Sequence, residues 1–552
     1  MRHAFSNRRI AGCRAAVWLA ALVTPLAPAE TLRYELTPDF DAGVLRVSVE
    51  WHTGSRQQSA LRVSTRVGQV RDVPRLLRNV RIAGGRVRHD GAVWIITHRP
   101  GATIRCQYVV DPHRRRFAAL DEIHYPITTR TFFHGLGNAF LLVPASGGAT
   151  PETFEVVLRW KLPAGFKAAC SWGIGRHVGA RLRATDVSHS VYLAGRLQAA
   201  RVSRDGRTVS VAIVPQFAFS ADDFAQMAAR IVSAECNFMH ETDFPEFVVT
   251  AIPVGEPLAA GEARLAGSGL YHSFAMFVAP EARIDDAVEH LFAHELFHHW
   301  NGRMLRAAQP ERLVYWFVEG LTDYYALRIL YESGYWKPTT YLKWINKHVR
   351  GYYRNPAMHA TNADIQRDYW KKRQTVGEMA YQRGLMLGLR WHALARKAGI
   401  PSGLDRLMLT LVDRGRKGKE VSNALVRDVG LRTLGTWFGE EFERYVVRAE
   451  TIELPKDALG PEFVGRLTEM YSYQLGFDRR RSRAGHRVRG LIPGSAAQRA
   501  GLRSGDHIVA WNLYPDPDRP CKIKIRRDGQ TRIITFYPRG PKERLMQFHL
   551  RR

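Results

Sequence analysis

The sequence predicts a multidomain α+β chain, and three observations carry that expectation. Residues 30–215 consist of short β-rich runs separated by Gly, Pro and Asp clusters. Residues 216–465 turn mainly helical in their periodicity. Residues 466–552 return to short strands with glycine turns. A chain of 552 residues is too long for a single hydrophobic core. The expected division is a leader at 1–29, a β-sandwich at 30–215, a mainly helical domain at 216–465 and a small β-barrel at 466–552.

The leader has the pattern of a secretory signal. Arg8, Arg9 and Arg14 form a basic start, Ala15 to Leu26 an apolar stretch, and Ala27-Pro28-Ala29 a small-x-small cleavage site before Glu30. The apolar stretch contains Pro25 and is too short to span a bilayer comfortably. No later stretch reads as transmembrane. Export to the periplasm or the medium is expected. Cys106, Cys170, Cys236 and Cys521 remain after cleavage. They show no Cys-x-x-Cys spacing, and their pairing stays open.

In the first domain, Val44, Leu45, Val47, Val49 and Trp51, then Val93-Trp94-Ile95-Ile96, then Val156-Val157-Leu158, are strand-type runs. Spaced this way they suit a β-sandwich. His124 and His134 are isolated there and read as structural. The pattern changes near residue 216. Phe224, Met227, Ile231 and Ala234 share one face of a helix spanning Ala221 to Met239, and Phe247 to Val254 is an apolar strand. Gly267 to Phe277 reads as a glycine turn entering another strand, with an edge to which a substrate chain can add. Gly269, Leu270, Tyr271 and His272 are its candidate substrate-binding residues.

The chemistry concentrates in Ala293-His294-Glu295-Leu296-Phe297-His298-His299-Trp300-Asn301. On a helix His294 and His298 lie one turn apart on one face, so both imidazoles reach one metal. Glu295 sits about 100° round from His294, beside the metal, where a base for water belongs. With 21 His in the chain, such a motif arises by chance in roughly one chain in twenty-five of this composition. The partner stretch, Trp316-Phe317-Val318-Glu319-Gly320-Leu321-Thr322-Asp323, strengthens the case. Glu319 follows after enough chain for a loop and a new helix, and Asp323 shares its face, placed to orient a ligand histidine. The alternative is a buried amphipathic helix with structural histidines. Its apolar neighbours Leu291, Phe292, Leu296 and Trp316 weigh against that, because three ionisable groups in such a setting are costly without a metal. The reading is a zinc site of His294, His298 and Glu319 with Glu295 as general base.

In the last region, Tyr473-Gln474-Leu475-Gly476-Phe477, Gly490 to Ala497 and Ala500 to Val509 place a short helix between strands. Leu475, Gly476 and Phe477 can present backbone N–H groups to a peptide carboxylate. The net charge of +29 favours electrostatic contact with anionic surfaces. No zinc-finger spacing or aromatic-basic motif points to nucleic acid.

His294-Glu295-Leu296-Phe297-His298 with Trp300-Asn301, then Glu319-Gly320-Leu321-Thr322 with Tyr324-Tyr325, resembles the glycyl aminopeptidase family of zinc metallopeptidases, in the thermolysin-like gluzincin clan. The last region is similar to the PDZ domains that this family commonly carries. The resemblance runs from about Gln216 to the C-terminus. It implies a thermolysin-like catalytic domain, Zn2+ as cofactor, and Tyr381 of Tyr381-Gln382-Arg383-Gly384 as a transition-state stabiliser. It also implies a C-terminal peptide as a ligand of the PDZ-like domain. One position departs. The family's Gly-Gly-Leu-Glu-His is Ser268-Gly269-Leu270-Tyr271-His272 here, and tyrosine lacks the charge that pairs with a substrate ammonium. Glu262 is the nearby acid in sequence. The expected activity is zinc-dependent hydrolysis of peptide bonds, aminopeptidase-like or endopeptidic. Two rivals are a PDZ-type adaptor or chaperone with an idle zinc site, and a zinc hydrolase of another bond such as an epoxide.

Overall fold

The computed structural model describes residues 30–551, apart from 69, 112–121, 146–151, 256–264, 401 and 515. The leader and Glu262 therefore lie outside the described residues. In the N-terminal region Thr31–Asp39 pairs antiparallel with Val44–His52 and parallel with Thr153–Trp160 inside a six-stranded sheet. Every second residue of these first two strands is buried, as expected of a sheet with one face on the core. A four-stranded sheet with Val93–Thr97 and a five-stranded sheet with Phe132–Leu136 close the same core around Trp51, Trp94, Tyr108 and Phe140. Three sheets thus enclose this core, where a simple sandwich has two.

The next sheet joins what the sequence reading separated. Its order is Gln198–Arg204, Arg207–Ile213, Phe247–Pro253, Ser273–Val278, Leu265–Leu270. The boundary expected at 215 therefore cuts through one sheet, because Arg207–Ile213 pairs in parallel with Phe247–Pro253. The helix between them, Ala221–Phe238, is capped by Ser220 and buries Phe224, Met227 and Ile231. Phe247–Pro253 and Ser273–Val278 are buried almost throughout because both faces are covered. Val249, Phe274 and Met276 face the helices, and Ile252, Ala275 and Phe277 face Phe132, Val191 and Leu193 of the first region.

Helices dominate from Asp286–Phe297 to Trp437–Phe442. Gly320 and Gly384 meet where Gly320–Glu332 crosses Glu378–Lys397. A β-carbon on Gly384 would overlap the Trp316 carbonyl oxygen, so only glycine permits this approach.

The C-terminal region is not the single closed barrel expected. Phe463–Tyr473 and Arg539–Leu550 form a two-stranded ribbon, and His507–Asn512, Cys521–Arg527 and Gln530–Phe536 form a separate three-stranded sheet. The boundary at 466 also falls inside a strand, since the ribbon begins at Phe463 and buries Phe463 and Phe548 in the core of the helical region. Asn346 donates to the Phe548 carbonyl at 2.9 Å and accepts from its N–H at 2.8 Å, so the ribbon is anchored on Pro338–Arg354. The three-stranded sheet has its own small core of Leu475, Phe477, Val488 and Ile523. The four cysteines among the described residues are buried, unpaired thiols. Among the described residues no helix is long and apolar enough to cross a membrane.

Candidate active site

The helix Asp286–Phe297 starts where Asp285 accepts from the N–H groups of Ala287 and Val288. It carries His294 and Glu295, and His298 caps its end. The chain then loosens into a π-turn, His299–Met304, with Asn301 and Gly302 off helical geometry. Gly302 has φ +155°, and a β-carbon there would press on His298 Nδ1 at 3.3 Å. This reversal brings the Asn301 carbonyl to 2.9 Å from His298 Nδ1, which donates to it. The Asn301 side chain donates to the carbonyls of Phe317 and Val318 and to Thr322 Oγ1 at 3.1–3.2 Å. One asparagine thus couples the histidine helix to the segment bearing Glu319.

The structure brings His294, His298 and Glu319 together. The two Nε2 atoms are 3.1 Å apart, and each lies 3.5 Å from Glu319 Oε2. Donors around a tetrahedral zinc with bonds near 2.0–2.1 Å stand about 3.3 Å apart, so the set fits such an ion. His294 Nδ1–H donates to Asp323 Oδ1 at 2.8 Å. Both Nδ1 atoms are thus committed outward, and in neutral imidazoles both Nε2 lone pairs face each other. A cation between them removes that repulsion. Asp323 also lies 3.2 Å from His290 Nε2, a partner that sequence reading missed.

The protonation energetics agree. Burial opposes a charge on Glu319, yet the imidazoles of His298 and His294 hold its carboxyl well below the usual range. Burial alone would depress His294, but Asp323 and Glu319 keep it well above its usual value. Glu319 is thus held ionised and draws positive charge onto the imidazoles, the charge that a zinc ion would supply in place of protons.

Glu295, His298 and Glu319 open onto a cleft of about 480 Å³. Gly269 and Leu270 line it too, and a β-carbon on Gly269 would come within 3.3 Å of Glu295 Oε2. The open edge of the sheet belongs to Leu265–Leu270, which ends the strand order. Ser273–Val278, the strand expected to offer an edge, is paired on both sides. Tyr271 and His272 do not line the cleft. The Tyr271 N–H donates to the His189 carbonyl at 2.8 Å, and its ring packs toward the first region. His272 takes a left-handed φ of 42°, and burial with help from Arg303 pushes its pKa down to about 4.

Tyr381 is placed beside the triad, its ring centroid 6.0 Å from that of His294. Burial and the charge of Glu319 keep its hydroxyl protonated. That hydroxyl lies 3.2 Å from the Tyr369 hydroxyl, and Arg373 sits 5.0 Å over both rings. Tyr315 was missed, although it lies one helical turn before Glu319. It lines the cleft and donates its hydroxyl to Glu311 at 2.8 Å.

In the C-terminal region no protein group among the described residues accepts from the N–H groups of Leu475, Gly476 and Phe477. The short helix Arg479–Gly485 follows that turn.

Residues 287–386 match the family model "M61 glycyl aminopeptidase". No curated protein matches the sequence. An aminopeptidase N family protein from Idiomarina loihiensis has a similar fold, with TM-score 0.68 at 15% identity, covering 94% of this chain and 98% of that one. A variant M1 zinc metallopeptidase from Deinococcus radiodurans, solved with a Tyr-Ser-Ala substrate, gives TM-score 0.50 at 15% identity, covering 78% of this chain and 96% of that one. The matched segment holds both motifs, and the match to this peptidase family marks the chain as a peptidase.

Proposed function

We propose that the chain hydrolyses peptide bonds with one zinc ion held by His294, His298 and Glu319. The observation that carries this reading is the convergence of the three donor atoms at 3.1–3.5 Å, with Asp323 and the Asn301 carbonyl fixing both imidazoles from outside. When bound there, zinc supplies Lewis acidity toward water and the scissile carbonyl. Glu295 reaches the same cleft and serves as the proton acceptor, later passing the proton to the leaving amine. Tyr381, held protonated, is the hydroxyl donor for the developing oxyanion. Its rotation away from Tyr369 would bring it to bear. The open edge of Leu265–Leu270 receives the substrate backbone as an added strand.

An aminopeptidase-like action is supported by the matched family description, but Tyr271 offers no charge to an amine. The apolar leader supports export. The free N–H groups at Leu475 to Phe477 support a docked peptide carboxylate, although a helix takes the place of the neighbouring strand. An adaptor or chaperone with an idle site gains no support from a triad so fully oriented.

Glu295→Gln tests the reading. It should lower peptide hydrolysis by at least about a hundredfold while metal analysis still finds one zinc per chain. Unchanged turnover in that variant would sink the assignment of the base.

A further inference from the structure

The cleft holds a cation with no assigned task. Arg303 lies in the π-turn directly after the histidines, and its N–H donates to the His298 carbonyl at 3.0 Å. Its side chain lines the same cleft as Glu295, His298 and Glu319. The guanidinium carbon stands 5.5 Å over the Tyr271 ring, which braces the side chain from outside the cleft. Its Nη1 is out of solvent and has no hydrogen-bond partner among the described residues. Burial pulls its pKa down from the usual arginine value, though the group stays charged.

The acid whose charge acts on Arg303, Asp186, is already committed. Asp186 accepts from Arg183 at 2.8 and 2.7 Å and from the Arg183 backbone N–H at 3.1 Å. The other charged groups of the cleft are differently placed. Glu319 belongs to the triad, Glu295 faces the strand at Gly269, and Glu311 takes the Tyr315 hydroxyl. Arg306 and Glu420 are exposed, and their segments are bridged where the Val421 N–H donates to the Arg306 carbonyl at 2.7 Å. Charges at such a rim are screened by solvent, whereas a half-buried guanidinium with an unused donor gains most from an anionic partner.

We infer that Arg303 is a specificity-determining residue that binds a substrate carboxylate, so that the cleft selects peptides carrying an anion close to the scissile bond. The inference rests on the peptidase reading of this cleft. The carboxylate has two sources, an acidic side chain or the peptide's own C-terminus, and both present the same two oxygens to the fork of an arginine.

The test uses full-length protein, zinc-loaded, in the non-hydrolysing Glu295→Gln background. Fluorescently labelled hexapeptides, acetylated and amidated, carry Glu or Gln at each position in turn, and a third set carries Gln with a free C-terminal acid. Anisotropy gives Kd for each. One Glu peptide, or the free-acid set, should bind about tenfold or more tightly than its neutral twin. Adding Arg303→Ala should bring that ratio to within about twofold, and Arg303→Lys should keep part of it. Gain in the Glu peptide identifies a side-chain carboxylate, and gain in the free acid identifies the terminus. Equal binding of all twins, no binding at all, or a preference that survives Arg303→Ala would overturn the proposal. Hydrolysis by the wild type is scored separately. Turnover without carboxylate preference rejects Arg303 and spares the peptidase reading, and the reverse pattern rejects the peptidase reading alone.

Discussion

Asp323 shows how much of this candidate site lies one layer behind the proposed metal donors. Its carboxylate takes the Nδ1–H of His294 at 2.8 Å and approaches His290 at 3.2 Å, so it sets the tautomer and the tilt of the ligand ring. Asn301 does the equivalent work for His298 with a backbone carbonyl. Partners of this kind typically govern metal affinity by a factor of about ten to a hundred. Asp323→Ala should therefore weaken zinc by that factor, read by competition with a chromogenic chelator. Asn301→Ala should loosen both the metal and the fold, because its amide also holds Phe317, Val318 and Thr322. The i, i+4 spacing made Asp323 legible in sequence. Asn301 was visible as part of the motif, but its role depends on a π-turn that no spacing rule predicts.

At the scale of elements, the site is assembled by a helix crossing. Tyr381 reaches His294 because Gly320 and Gly384 let two helix backbones touch beside Trp316. Gly384→Ala forces a methyl group into that carbonyl, an overpacking that costs about 1–3 kcal/mol. We expect a lower midpoint in thermal unfolding and a loss of activity larger than the stability change explains, since Tyr381 moves with the helix. The open edge is another element-scale matter. The run from Gly267 to Phe277 is a hairpin, and its first strand, not its second, is exposed. Alternation cannot distinguish these, because Ser273–Val278 is buried on both faces.

Across the whole molecule, the first region and the catalytic sheet are joined by a shared apolar layer of Phe132, Val191, Ile252 and Phe277. His134 sits in the same joint, fully buried, its ring centroid 5.2 Å from that of Phe277 in an edge-to-face arrangement. Burial pushes its pKa from 6.5 down to about 3. The folded state therefore binds this proton less readily than the unfolded chain. Stability is intact above pH 6.5 and falls as the pH drops from 6.5 toward 3. Between pH 7 and 5 the loss from this residue is about 2 kcal/mol. Urea unfolding at the two pH values should show it, and His134→Phe should shrink the difference. An isolated histidine in a β-rich segment read as structural, but nothing local said which surface it would be sealed against.

The candidate metal donors and the orienting acid were legible because helical spacing is a local property: it puts His294 and His298 on one face of their helix, and Glu319 and Asp323 on one face of the next. The same holds for the capped helix beginning after Ser220. Domain limits were not legible in this way. Residues 207–213 and 463–473 look like ends of one region, yet pair with strands beyond the expected limits. The C-terminal strands suited one barrel, but Phe463 and Phe548 are buried in the core of the helical region. That Nη1 of Arg303 has no partner among the described residues depends likewise on how Tyr271 and Asp186 pack. Periodicity encodes which face of an element is apolar, and only the folded chain decides what that face meets.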